Sequence, residues 1–335
     1  MRYGAETKNS RLIFLVGPGG VGKTTMSAAI GFVLRKFGKT IVITIDPAKR
    51  LKSALSIPID GMKQIKENLF VTQVDKENEF RKFAFENNIG DITRTKLFEI
   101  AADLLPSEEY SAILKIIDIY ENNNFDFVVV DTPPSLKFLN FLDAPGKIKS
   151  MFETGSVRYF LEIVATAGKR VSLPLSIAGK LFGSNFIVDF AKFLSSLKGV
   201  FDKMEEVYRK SVDLLSKSII IAVASPYDRK IDELSFMLTE IKKRKLDASA
   251  IIINRFVDFT ENGIPSNSPQ SILNFHKNLV NLSRSMKDRI KETEKFRAPL
   301  FVIKEKFVDI NSQKYVESIS REIADFVSGV LKLKS

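Results

Sequence analysis

The sequence contains no cysteine, no tryptophan and a single histidine, His276. Without thiols there can be no disulfide, no thiolate zinc or iron–sulfur site and no thiol nucleophile. One histidine cannot build a histidine metal cluster, and its bland reading is a helix-surface residue. The cysteine-free composition is compatible with a reducing compartment, so a cytoplasmic location is expected. Long hydrophobic runs are also missing. No window offers the ~18 uncharged apolar residues of a membrane span. The run RLIFLV (11–16) is too short for the apolar region of a secretory leader, so none is expected.

The 335 residues are 44% hydrophobic and 27% charged, the balance of a globular protein with a large core. That length allows one large α/β domain or two ordinary ones. The net charge of +11 suits anionic partners in principle. Its lysines and arginines are spread along the chain, however, and the densest run, KKRK (242–245), ends an expected helix, where cations suit the dipole. A solvated surface is the favoured reading, and no nucleic-acid partner is expected.

Short β-branched runs alternate with helical patterns, which points to an α/β fold: a doubly wound, mostly parallel sheet with helices on both faces. Strands are expected at 11–16, 40–45, 69–74, 126–130, 218–224, 249–253 and 299–303, nearly all uniformly apolar and so buried on both faces. Helical periodicity marks 24–37, 228–246 and 312–333. Residues 79–121 and 147–217 hold no convincing strand and read as a helical subdomain inserted into a single domain spanning 1–335. TENGIPSNSPQS (260–271) reads as an exposed loop.

Three motifs carry chemistry. GPGGVGKTT (17–25) has the spacing of a phosphate-binding loop between a strand and a helix. Gly17, Gly19, Gly20, Val21 and Gly22 would turn backbone N–H groups inward, towards the phosphates of a bound ATP. Lys23 would reach the β- and γ-phosphates, Thr24 would ligate Mg2+ and Thr25 would reach the α-phosphate. TIDPAKRL (44–51) follows the second strand, and its Asp46 is placed to orient or deprotonate an attacking water, or simply to cap a helix. FVVVDTPPS (127–135) ends a buried strand in Asp131, the expected carboxylate behind the magnesium ion, and TPPS would sense the γ-phosphate. A weaker fourth element, IIINRF (251–256), presents Asn254 after a strand, with an amide able to read an adenine edge or merely to form a turn.

These motifs resemble the ArsA/guided-entry family of deviant P-loop ATPases, relatives of MinD and ParA. The resemblance rests on GPGGVGKTT, DPAKRL (46–51) and DTPPSLKFLNFL (131–142). It continues through LDAPGK (142–147), ASPYDRKIDEL (224–234) and VIKEKFVD (302–309). It implies a homodimer with two facing ATP sites, Asp46 as the water-activating residue of switch I, Asp131 opening switch II, Asn254 at adenine, and a helical subdomain above the nucleotide. Three departures matter, one being the missing cysteines, which exclude the family's thiolate metalloid site and its Cys-x-x-Cys zinc clasp. Pro18 stands where the family has its signature lysine, and Tyr227 stands where many members have glutamate. A missing cross-site cation implies slow hydrolysis, since an arginine finger in that role is worth roughly 10³–10⁵ in rate. Lys49, Arg50 and Lys137 are the candidates to replace it.

The resemblance implies an ATPase switch that captures or targets hydrophobic client helices, with LPLSIAGKLFGSNFIVDFAKFL (173–194) as a contributor to the client groove. Such a stripe is more often ordinary core. The alternatives are a MinD/ParA-like positioning switch acting on a membrane, DNA or protein complex, or an ATP-binding module that has lost hydrolysis. For the membrane reading, apolar residues at 316, 319, 323, 326, 327 and 330 give a helical face that either lies peripherally on a membrane or packs on the protein.

Overall fold

The computed structural model describes residues 10–45, 50–55, 59, 61–75, 78–79, 82, 85, 108–122, 124–134, 137–143, 206–261, 265, 267–306 and 312–333. The chain divides into two compact units. One comprises Met1–Val74, Ile119–Leu139 and Ser216–Ser335; the other comprises Asp75–Asp118 and Asn140–Leu215. Most of 79–121 and of 147–217, where a helical subdomain is expected, lies outside the described residues.

The first unit is built on eight strands: β1 (Arg11–Val16), β2 (Thr40–Thr44), β3 (Lys63–Lys66), β4 (Leu69–Gln73), β5 (Phe127–Asp131), β6 (Ile219–Ala224), β7 (Ala250–Phe256) and β8 (Leu300–Lys304). They form one sheet in the order β3-β4-β2-β5-β1-β6-β7-β8. Every pairing is parallel except β3 with β4. Seven of these strands match the apolar runs of the sequence to within a residue or two, except that β7 runs on to Phe256. β3 was not foreseen, because KQIK has one apolar residue and pairs only at the edge, where charged side chains are favoured.

The order explains why the site lies where it does. From β1 the chain moves to β2 on one side, and from β5 it crosses to β6 on the other. The carboxyl end of β1 is therefore a topological switch point, where crevices open in such sheets.

Alternation assigns the two faces. Ile13, Leu15, Val42, Val129, Ile221, Val223 and Ile252 join one buried cluster with helix α1 (Lys23–Leu34). On the other face Phe14 meets Phe138 with ring centroids 6.1 Å apart, and Phe70 meets Phe125 edge-on at 5.4 Å. Five further helices have described bounds: α2 (Arg50–Leu55), α3 (Glu108–Asn122), α4 (Lys230–Lys243), α5 (Gln270–Lys291) and α6 (Gln313–Val330). α5 was anticipated only in the helix-surface reading of His276, and its extent was not, since its buried residues are only Val280, Ser283, Met286 and Ile290 over six turns. His276 lies on α5 as expected, half-buried, with its ring edge-on to Phe259 at 6.4 Å. The KKRK run closes α4 with its cations at the surface, where Lys243 and Arg244 pair with Glu240. Within the second unit, α3 carries Lys115 and Asp118, paired with Glu79 at 2.7 Å and Lys82 at 2.8 Å.

The C-terminal helix settles one alternative. Ser312 caps α6 by accepting the Tyr315 N–H, and Val316, Ile319, Ile323 and Val327 are fully buried in the cluster with α1. Phe326 stacks against Phe301 of β8 at 5.0 Å. The apolar face of this helix is thus core and is not available to a membrane. Ile319→Ala is expected to cost about 2–5 kcal/mol. Urea unfolding measures it, and a loss below about 1 kcal/mol would mean that the helix is peripheral to the fold.

Candidate functional site

β1 ends at Val16, and the next six residues turn the chain into α1. Gly17 has φ 152°, and a Cβ there would stand 1.9 Å from the Val223 carbonyl oxygen of β6, so no side chain fits. Gly22, the residue before α1, is left-handed at φ 96°, a conformation that glycine takes without strain. α1 has no side-chain cap and no acidic residue in its first turn. Its leading N–H groups and the positive end of its dipole are therefore offered to an anion instead.

Lys23 strengthens that field. It is only 6% exposed, and its ammonium donates to the carbonyl oxygens of Gly17 at 2.9 Å and Pro18 at 2.8 Å. A buried ammonium needs such partners. The loop's own carbonyls hold the charge at the loop's centre, and Pro18, which brings no charge and no N–H, serves through its oxygen.

Asp131, the last residue of β5, is 1% exposed. Thr24 Oγ1 donates to its Oδ2 at 2.8 Å and Thr44 Oγ1 donates to the same oxygen at 3.1 Å, while Ser27 Oγ reaches Oδ1 at 3.5 Å. Thr44 and Asp131 are register partners on β2 and β5, so their side chains lie on the same face of the sheet. The donor set of a carboxylate and hydroxyls at an anion-binding helix end is that of a hard cation such as Mg2+. Beyond β5, Thr132 Oγ1 donates to Leu15 O at 2.6 Å, and Pro134 lies beside Gly19 of the loop.

Asn254 closes the other side. It is 5% exposed, and its Nδ2 donates to Val21 O at 3.0 Å. The same nitrogen is so near Gly22 that a Cβ there would lie 2.5 Å away.

The structure thus brings Lys23, Thr24, Asp131 and Asn254 of the sequence motifs to one end of the sheet, around Gly17–Thr25. Asp46 and Lys49 lie outside the described residues, as does the side chain of Arg50; Lys137 is exposed. Thr44 and Ser27 were missed. Both had a signal: Thr44 ends a strand beside the aspartate strand, and Ser27 lies one helical turn after Thr24.

An α/β sheet with a glycine loop feeding a helix at its switch point defines a P-loop NTPase. More narrowly, the chain belongs to the ArsA family of anion-transporting ATPases, whose sequence model matches residues 10–318. Among its relatives, "Putative arsenical pump-driving ATPase 2" of Aquifex aeolicus is 26% identical over 73% of this chain and 80% of its own length. "Putative arsenical pump-driving ATPase 1" of the same organism is 30% identical over 57% of this chain, which spans about half of that protein (51%). "ATPase ASNA1 homolog 1" of Paramecium tetraurelia is 26% identical over 75% of this chain and 76% of its own length. Among the described residues no helix is long and apolar enough to cross a membrane.

Thr44→Val, which keeps the shape and removes one donor from a buried carboxylate, is expected to destabilise the protein by about 1.5–3 kcal/mol in urea unfolding. An unchanged midpoint would show that Asp131 does not depend on Thr44.

Proposed function

We propose that this protein is a magnesium-dependent ATPase that works as a homodimeric switch. The observation that carries the reading is the uncapped N-terminus of α1, which has the buried Lys23 at its mouth and the Thr24–Asp131 pair beside it.

In this reading the N–H groups of residues 19–25 wrap the phosphates of ATP, and Thr25 reaches the α-phosphate. Lys23 exchanges the carbonyls of Gly17 and Pro18 for β- and γ-phosphate oxygens. Thr24 and Asp131 would hold a magnesium ion, with Thr44 and Ser27 keeping the carboxylate in place. When bound, Mg2+ neutralises the charge that builds between the β- and γ-phosphates. Asp46 orients and deprotonates the attacking water. Asn254 retains an acceptor and one amide hydrogen for the adenine edge after serving Val21. The contact of Pro134 with Gly19 suits a TPPS segment that senses the γ-phosphate. Pro18 removes the lysine that would reach the partner's phosphates, so turnover is slow.

The names of the relatives divide between arsenical pump driving and ASNA1. The complete lack of cysteine in this sequence argues against a thiolate site for arsenicals. Capture or targeting of hydrophobic client helices by a helical subdomain (about 79–121 and 147–217) is therefore the role we favour, exercised from the cytoplasm and peripherally at a membrane. A positioning switch anchored by the C-terminal helix loses its support, because the apolar face of α6 is buried.

Purified protein in Mg2+–ATP should release phosphate. Lys23→Ala should reduce turnover by about 10²-fold or more, and chelation of magnesium should abolish it. Asp46→Asn should bind ATP, turn over about 10²-fold or more slower, and co-purify from native cells with proteins bearing one hydrophobic helix. Turnover in the wild type no faster than in Lys23→Ala would remove the ATPase reading. A trapped Asp46→Asn protein carrying only one soluble complex would remove the targeting role.

A further inference from the structure

β7 contains an irregularity that neither the motifs nor the proposed chemistry requires. Its register with β8 runs Ile251↔Leu300, Ile252↔Phe301 and Ile253↔Val302, then jumps to Phe256↔Lys304. Three residues of β7 are thus set against two of β8, which is a bulge. Within it Arg255 is left-handed, with φ 66°. Among the described residues it is the one positive-φ residue inside a strand, at a position where bulges favour glycine. A strained backbone of this kind persists only where its surroundings hold it.

The holding contacts are visible. Arg255 Nε donates to Glu305 Oε2 at 2.8 Å, and the guanidinium sits 5.6 Å from the ring centroid of Tyr227. Glu305 is itself fixed, since its N–H donates to Phe256 O at 2.8 Å across the bulge and its side chain is only 10% exposed. Burial first, and the nearby Glu305 carboxylate second, push the hydroxyls of both Tyr227 and Tyr315 above the ordinary tyrosine range.

Alternation after Ile252 places Asn254 on the face that packs on α1, and the register shift falls at this point of the strand. Arg255 turns outward to Glu305, while Asn254 turns inward and puts its amide on Val21 O, one residue before the left-handed Gly22 that starts α1. We propose that Arg255 and Glu305 are positioning residues for the phosphate loop: their ion pair holds the bulge of β7, and the bulge holds Asn254 against the carbonyl of Val21. This rests on the nucleotide-binding reading above and extends it to two residues outside the motifs' assigned roles. The pair acts through the backbone and touches no ligand. The loop is then held in its phosphate-binding shape before ATP arrives, so less ordering is left to the ligand.

A backbone role and a direct charge effect predict different outcomes. Arg255→Ala keeps the strain and loses the ion pair. Arg255→Gly loses the same ion pair but adopts the left-handed backbone without cost. Dissociation constants for Mg2+–ATP and for magnesium tripolyphosphate, which has no base to read, would be measured by calorimetry on the wild type, Arg255→Ala, Arg255→Gly and Glu305→Gln. Thermal midpoints would confirm that each variant is folded. Arg255→Ala and Glu305→Gln should weaken both ligands by about tenfold, the scale of one lost polar contact, and Arg255→Gly should recover most of that loss. If Arg255→Gly binds as weakly as Arg255→Ala, the backbone is not the route and the proposal fails. It fails equally if tripolyphosphate binding is unchanged in Arg255→Ala and Glu305→Gln. A wild type that binds neither ligand would instead overturn the nucleotide-binding reading itself.

Discussion

The carboxylate of Asp131 is where the sheet and the first helix are joined. One buried oxygen accepts from Thr24 of α1 and from Thr44 of β2, and the other lies within reach of Ser27. An ionised group at 1% exposure is costly unless it is well bonded. Folding therefore has to bring the end of β5, the end of β2 and the first turn of α1 together in one arrangement. That arrangement also leaves the N-terminus of α1 at the switch point without a side-chain cap. The fold's need to satisfy one aspartate and the site's need to present bare amides are met by the same geometry.

The phosphate loop is held from three directions. Gly17 lies against the backbone of β6, Gly19 lies beside Pro134 in the segment after β5, and Val21 is bonded to Asn254 of β7. Lys23 ties the loop to itself through the Gly17 and Pro18 carbonyls. Such a loop is preorganised: the lysine already stands where negative charge would come, and the glycines permit approaches that a Cβ would block. Pro18 fits this local geometry, since only its carbonyl is used.

Much of this was legible in the sequence, for physical reasons that differ by element. The central strands are buried on both faces, so their residues are uniformly apolar and their ends are sharp: RLIFLV is β1 without a residue of error. Asp131 could be placed at the end of a strand because a charge after four apolar residues can only belong at an end. The edges read poorly. β3 is too polar to show a pattern, and α5 buries so few residues that Asn and Ser along its outer face masked its period. Thr44 and Ser27 were hidden for another reason: a hydroxyl at a strand end or in a helix has no signature until its carboxylate partner is placed. The bulge at Arg255 was invisible because a left-handed arginine has no sequence signal at all.

The family is one of ATPases, and the site proposed at residues 17–25 stands or falls on whether ATP is gripped there by the backbone. Amide hydrogen exchange, followed with and without saturating Mg2+–ATP, reads that grip residue by residue. The account predicts that the amides of Gly19 to Thr25 slow by about tenfold or more, with the largest protection at the start of α1. Unchanged exchange across this segment at saturating ATP, with protection appearing elsewhere in the chain, would contradict it.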